Sequence, residues 1–313
     1  MKILCPDPES FSDIGLKTLS KSHDVFCKKI DQVEFDKVAP NYDVILTRFN
    51  TQITEKVINQ KSNIKFILSP TTGLDHIDLN AAQKMNIKVF HLKGQRRFLR
   101  KISGTAELTI GLIISISRNI PESFESVKNF NWNTHSFMGH ELYKKKLGII
   151  GYGRLGRKVA RVASSLDMDI LCFDPYINHI PRYVNKVDNL NSLLSTSDYV
   201  SIHIPLNSET KHLISYPQLQ KMKPESFIIN TSRGSIINTH DLLKALENKT
   251  IRGAALDVIE DEWSLIAEGK SFLIDYAKHN RNLIITPHIG GATFESIERT
   301  DMFIIDKFLK FLY

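Results

Sequence analysis

"LGIIGYGRLGRKVARVASSLDMDILCFDPY", residues 147–176, decides the fold. An apolar run ends in Gly151, Gly153 and Gly156, spaced G-x-G-x-x-G, and the amphipathic stretch "RLGRKVARVASSL" follows. A second apolar run closes on Asp174, eighteen residues beyond Gly156. Each part has a physical task in holding a dinucleotide. Gly151 permits a tight turn, Gly153 lets the backbone reach a pyrophosphate, and Gly156 lets helix pack on strand. The helix start offers N–H groups and a positive dipole to phosphates. Asp174 can accept from ribose hydroxyls and repels a 2′-phosphate, so NAD is expected over NADP. Arg154 and Arg157 lie close enough in sequence to complicate that preference. A glycine turn of purely structural use explains the glycines but not the acid.

Working outward, "KLGIIGYG", "DILCFDPY", "YVSIHIPL", "SFIINTS", "IRGAALDV" and "NLIITPHIG" all read as buried strands. The N-terminal part has the same rhythm. "KILC" (2–5), "DVFC" (24–27), "DVILT" (43–47), "IKFILS" (64–69) and "IKVFH" (87–91) read as strands. Between them, helices are expected to open at Thr54 and Asp78. Strands alternating with helices predict a parallel sheet covered on both faces. The fold class is therefore α/β, with two doubly wound parallel-sheet domains and an interdomain cleft. "LKGQRRFLRKIS" breaks the rhythm and reads as a hinge. The apolar helix from Gly104, stopped near Pro121, should be buried on several sides, including against a second subunit. A substrate domain of 1–97 plus 292–313 and a nucleotide domain of 98–291 are expected.

The chain of 313 residues is long enough for two cores, and its formal charge is +7. That charge admits nucleic acid, a membrane surface or an acidic small molecule. The basic residues are scattered, and no zinc-finger or RNA-binding signature accompanies them, so an acidic substrate is preferred and no nucleic-acid partner is expected. No apolar run is long enough to span a bilayer, and no leader pattern opens the chain. Cys5, Cys27 and Cys172 are odd in number and far apart. That pattern fits a reducing cytoplasm, with no disulfide framework and no metal site.

Candidate chemistry gathers at strand ends. In "INTSRGSIIN" (229–238), Arg233 sits where an apolar run gives way to small polar residues. A lone loop arginine is ordinarily solvated, but strand tips of such sheets are where ligands bind. Histidine is the default proton shuttle near neutrality, and His203 and His288 both follow apparent strands. "ALDVIEDE" supplies Glu260, Asp261 and Glu262, any of which could hold a histidine's tautomer.

These motifs bring the chain to a family. "LGIIGYGRLG", "HIPLNSET", "MKPESFIINTSRGSIIN", "GAALDVIEDE" and "TPHIGGAT" stand in the order seen in the D-isomer-specific 2-hydroxyacid dehydrogenases, and the chain most resembles their phosphoglycerate dehydrogenase branch. "TTGLDHIDLNAA" and "GTAELTIGLIISISRNIPE" extend the resemblance over nearly the whole chain. It implies an NAD-dependent enzyme that interconverts a D-2-hydroxy acid and its 2-oxo acid, a phosphorylated or sugar-derived acid such as 3-phosphoglycerate among the options. Arg233 would bind the substrate carboxylate and polarise the 2-oxo group. His288 would be the acid/base, with Glu262 as its partner. Thr72 and Gly73 would offer N–H groups to the carboxylate, and Arg48 stands where that branch binds phosphate. Arg154 and Leu155 would present N–H groups to the pyrophosphate. Asp257 would serve the nicotinamide end, and Pro205, Thr231, Ser232, Gly290 and Gly291 would line the cofactor site. A homodimer is implied.

Departures accompany the match. Trp263 replaces the family's proline, the segment after it is long, and so is the one around "RRFLRK". These put substrate choice in question. The intact Arg, Glu and His set disfavours a catalytically silent NAD-sensing protein on the same fold, which stays open as an alternative.

Overall fold

The computed structural model describes every residue except Asp261, Trp263, Ser264, Ile266, Ala267 and Glu268. The reading of Trp263 therefore lies outside the described residues. The chain divides into two compact units, Met1–Ile102 with Gly291–Tyr313, and Ser103–Gly290.

In the smaller unit five strands are β1 (Lys2–Cys5), β2 (Asp24–Cys27), β3 (Val44–Leu46), β4 (Phe66–Ser69) and β5 (Lys88–His91). All pair in parallel, in the order β2-β1-β3-β4-β5. Successive residues of a strand point to opposite faces, and the two cores divide accordingly. Ile3, Val44, Leu46 and Leu68 join Ile304, Ile305 and Phe308 of the C-terminal helix Phe294–Leu312. Leu4, Ile45 and Ile67 join Phe35, Ala81 and Ala82 on the other face. Cys5 and Cys27, far apart in sequence, are register partners here; both thiols are free.

The larger unit holds β6 (Lys146–Ile150), β7 (Asp169–Phe173), β8 (Val184–Lys186), β9 (Tyr199–Ile202), β10 (Phe227–Asn230), β11 (Gly253–Leu256) and β12 (Leu283–Ile285). The order is β12-β11-β10-β9-β6-β7-β8, all parallel. The sheet thus winds outward in both directions from β6 and β9, the order of a Rossmann domain with one strand added. Such a switch point opens a crevice at the carboxyl edge.

Two sequence expectations are corrected. Asp78 caps the helix Leu79–Lys84 as expected, but no helix opens at Thr54, where the chain makes turns. Asn59 accepts from Lys61 N–H and donates to Lys56 O, and such local side-chain bonds compete with a helix. Leu99 and Ile102 are buried in the smaller unit's core, so the boundary falls after Ile102 and not after residue 97. The helix Gly104–Arg118 packs within its own chain against Leu147, Ile149, Val159 and Ala255. It stops at Asn119, whose left-handed φ of 51° turns the chain into the next helix, Ile120–Lys128, with Pro121 in its first turn. Strand β8 was not anticipated. Among the described residues no helix is long and apolar enough to cross a membrane.

Candidate active site

The carboxyl edge of the larger sheet collects the chemistry in strand order. From β12 inward it carries His288, then Asp257, Glu260 and Glu262 after β11, and Thr231, Ser232 and Arg233 after β10. His203 and Pro205 follow β9, Gly151–Gly156 follow β6, and Asp174 follows β7.

The glycine turn has three separate jobs. Gly151 has φ +91°, and a Cβ there would lie 2.6 Å from His203 O, so only glycine fits. A Cβ on Gly156 would lie 2.2 Å from Gly151 O, which fixes how closely the helix Arg154–Ser164 meets its strand. Gly153, the N-cap, has nothing within 4 Å of a Cβ position, which leaves open space over the first N–H groups of the helix. Asp174 is held at its strand end by two backbone donors, Tyr152 N–H at 2.8 Å and Tyr176 N–H at 2.9 Å. This arrangement fits a dinucleotide: an unhindered helix start for phosphates and an oriented carboxylate one strand away for a ribose. Pro205 is exposed, and its carbonyl accepts from Thr210 Oγ1 at 2.7 Å.

Asp257, 1% exposed, organises the turn that carries His288. Its carboxylate accepts from Thr286 Oγ1 (2.6 Å), Ile289 N–H (2.8 Å) and Gly290 N–H (2.7 Å). Burial pushes the Asp257 carboxyl up despite these donors. Three of its acceptor sites are occupied from within the chain, which leaves about one for a ligand. Gly290 O accepts from Thr105 Oγ1 at 3.0 Å, which closes the turn from the other side.

His288 itself has φ +53°, a backbone conformation that side chains adopt at some cost. Its Nδ1 lies 2.8 Å from Glu262 Oε2, with the side chains 25% and 29% exposed. Glu262 Oε1 accepts from Ile259 N–H at 3.2 Å. Sequence reading left three acids open by position, and the structure pairs His288 with Glu262. Glu260 has a different histidine, His212, whose Nε2 contacts Glu260 Oε1. Glu260 Oε2 accepts from Thr239 N–H at 3.2 Å, at the start of the helix Thr239–Glu247. Burial opposes the Glu260 charge, yet the His212 and Thr239 hydrogen bonds outweigh it and hold the carboxyl below its ordinary range.

His203 is a different kind of histidine. Its Nε2 meets Ser201 Oγ at 2.8 Å and its Nδ1 has no hydrogen-bond partner. Burial pushes it down to about 4, which leaves it neutral at pH 7.

Arg233 stands in extended backbone between β10 and a short 3-10 turn, Gly234–Ile236. Asn230 holds this tip from within: its Nδ2 donates to Arg233 O at 2.9 Å and its Oδ1 accepts from Ser232 N–H at 3.0 Å. Ser232 Oγ donates to Ile202 O at 2.6 Å. Thr231 Oγ1 shares a hydrogen bond of 2.8 Å with Thr109. Neither Asn230 nor Thr109 stood out in sequence, because each is an ordinary polar residue inside an apolar run.

In the smaller unit, Thr72 is exposed and Gly73 half-buried; Gly73 O accepts from Thr71 Oγ1 at 2.7 Å. Gly291 begins this unit's C-terminal segment. Arg48 has partners within its own unit. Its guanidinium, 15% exposed, lies 2.6 Å from Asp301 Oδ1, a side chain 0% exposed. It also donates to Thr300 Oγ1 at 3.1 Å and Pro70 O at 3.3 Å, while Ser12 N–H and Oγ donate to Asp301 Oδ2 at 2.7 and 2.9 Å. This cation neutralises a buried acid of the C-terminal helix.

Comparison with known proteins agrees with this construction. A family model described as D-isomer specific 2-hydroxyacid dehydrogenase, NAD binding domain, matches residues 110–290. That range lies wholly in the larger unit. A D-3-phosphoglycerate dehydrogenase of Synechocystis sp. is 35% identical over 298 residues, 94% of this chain and 51% of the relative. A hydroxypyruvate reductase of Thermotoga maritima is 32% identical over 288 residues, 92% of this chain and 90% of the relative. The chain spans about half the length of the phosphoglycerate dehydrogenases it matches, 57% for the one from Methanocaldococcus jannaschii. Among solved structures, a D-lactate dehydrogenase from Aquifex aeolicus complexed with NAD and lactic acid superposes with a TM-score of 0.85 at 27% identity. That match covers 100% of this chain and 95% of the other. The larger unit is an NAD-binding domain of this type, and the chain belongs to the D-isomer specific 2-hydroxyacid dehydrogenase family.

Proposed function

We propose that the protein is an NAD-dependent oxidoreductase that interconverts a D-2-hydroxy acid and its 2-oxo acid. The observation that carries this reading is the His288–Glu262 contact of 2.8 Å, at the same sheet edge as the glycine turn and Arg233. The bound nicotinamide supplies or accepts the hydride. Every other task falls to the chain. In the reduction direction His288, protonated, gives its Nε2 proton to the oxygen that gains charge. Glu262 holds the ring through Nδ1 and stabilises the imidazolium. A planar guanidinium at Arg233 can grip a carboxylate with two parallel bonds and face the neighbouring carbonyl oxygen, where charge develops in the transition state. Asp257 keeps the His288 turn in place.

Within the substrate class, a phosphorylated acid such as 3-phosphoglycerate loses its expected anchor, because Arg48 is committed to Asp301. An unphosphorylated 2-oxo acid is the first member to try. The test is NADH oxidation against a panel of 2-oxo acids, phosphorylated and sugar-derived members included, with NADPH in parallel. Turnover with NADH preferred is expected. Tight NADH binding with no member reduced would favour the silent NAD-sensing alternative.

For the homodimer that the resemblance implies, an exposed surface next to the helix Gly104–Arg118 is the contact we propose. Phe124, Val127, Phe130, Trp132 and Met138 form an exposed apolar stretch after the helix Gly104–Arg118, Phe130 and Trp132 being 100% and 86% exposed. Such a stretch marks an interaction surface. We assign it to a homodimer, so Phe130→Ser with Trp132→Ser should sediment as a monomer where the unmodified chain sediments as a dimer. A dimer in both would place the contact elsewhere.

A further inference from the structure

Three carboxylates between residues 257 and 262, those of Asp257, Glu260 and Glu262, have different partners. Asp257 holds the His288 turn and Glu262 meets the His288 ring. Glu260 points to the other side, toward the loop that carries Arg233. It contacts His212 Nε2 and accepts from Thr239 N–H at 3.2 Å. His212 in turn donates its backbone N–H to Ser235 O at 2.8 Å, two residues from Arg233. The neighbouring backbone reinforces this: Ile214 N–H donates to Ile236 O at 3.1 Å and Asn238 N–H to Ile214 O at 2.9 Å. Gly234 is pressed against the same segment so closely that a Cβ would lie 1.8 Å from Ile259 O. The loop 234–239 is therefore clamped between His212 on one side and Ile259–Glu260 on the other.

We infer that Glu260 and His212 are positioning residues that set Arg233 relative to His288. This rests on the functional reading above, since it assumes that Arg233 meets the substrate. The physical case is that one short segment fixes both ends of the site. Glu262 sets the proton-transferring ring, and two residues earlier Glu260 sets the loop bearing the cation. A half-buried anion with two hydrogen-bond partners and a crowded glycine leave that loop little freedom, and orientation of this kind is what holds reacting groups in register.

The experiment compares Glu260→Gln and Glu260→Ala in the full chain. Glutamine can still accept from Thr239 N–H; alanine cannot. Glu260→Ala should lower kcat/KM for the 2-oxo acid by about 10- to 100-fold, the cost of an ångström-scale misplacement, with the loss seen in both KM and kcat. NADH affinity and the pH–rate profile should stay in place, because the glycine turn and the His288–Glu262 pair are intact, and Glu260→Gln should recover much of the rate. Backbone amide exchange over residues 232–239 should quicken in Glu260→Ala. Should that variant not fold, His212→Asn carries the same expectations. Normal kinetics with a lowered Tm, or unchanged exchange over 232–239, would overturn the inference. If the unmodified chain reduced no 2-oxo acid, the functional reading would fail on its own, and the exchange measurement would still decide whether Glu260 clamps the loop.

Discussion

His288 meets Glu262 through Nδ1, whereas His212 meets Glu260 through Nε2. Both histidines sit at φ +53° beside the carboxyl edge of one sheet, and their glutamates are two residues apart. The difference lies in what each pair uses up. A ring tethered through Nδ1 directs Nε2, its outermost atom, away from the tether. A ring tethered through Nε2 has that atom engaged already. The second oxygens differ too: that of Glu262 accepts from its own turn at Ile259, that of Glu260 from the head of a helix at Thr239. On the proposed reading, one pair exchanges a proton and the other holds a loop. His203 gives a third case, with a hydroxyl for a partner and a pKa pushed by burial down to about 4. A strand-end position alone therefore does not single out an acid/base histidine; the proposed reading rests on the anion at the inner nitrogen of His288.

The largest effect expected from this contrast is at His288. His288→Ala should cut turnover by about 10²- to 10⁴-fold, the usual weight of general acid–base catalysis, with NADH affinity little changed. His212→Ala should cost less and act through KM as well as kcat. A loss at His212 equal to that at His288 would mean that the roles have been assigned to the wrong pair.

The smallest effect should be found at His203, in stability. A histidine whose pKa is lower in the folded than in the unfolded chain binds fewer protons when folded, so it favours unfolding as the solution becomes acidic. Its contribution is fully present above pH 6.5, the ordinary value, and is lost as pH falls toward 4. Denaturant unfolding of the unmodified chain and of His203→Gln, followed from pH 7 to pH 4, should show a shallower pH slope in the variant. Equal slopes would mean that His203 is protonated as readily in the folded chain as in the unfolded one.

Much of this was legible in the sequence where the physics is local. The nucleotide turn is one, because the three glycine roles follow from spacing along a single strand–turn–helix. Among the described residues, the alternating apolar runs also marked eleven of the twelve strands, the short β8 being the exception. What depended on distant pairing was harder to see. His288 and Glu262 are 26 residues apart, and only the family resemblance chose Glu262 over Glu260. His212 and Glu260 are 48 residues apart, and "NSETKHLIS" looks like a solvated loop. Arg48 looked available because its partner, Asp301, lies 253 residues away in the last helix. Thr54 looked like a helix start because Asn59, which bonds its neighbours, carries no periodicity signal.

The difference between the two pairs meets its sharpest test in the turnover of 2-oxo acid reduction, measured for the unmodified chain, Glu262→Gln and Glu260→Gln side by side. On the proposed reading Glu262 orients the His288 ring and stabilises the imidazolium, whereas Glu260 holds a loop. Glu262→Gln should therefore lower kcat strongly with NADH affinity unchanged, and Glu260→Gln should keep most of it. An unchanged kcat in Glu262→Gln, or a larger loss in Glu260→Gln, would contradict the assignment of His288 and Glu262 as the proton-transferring pair.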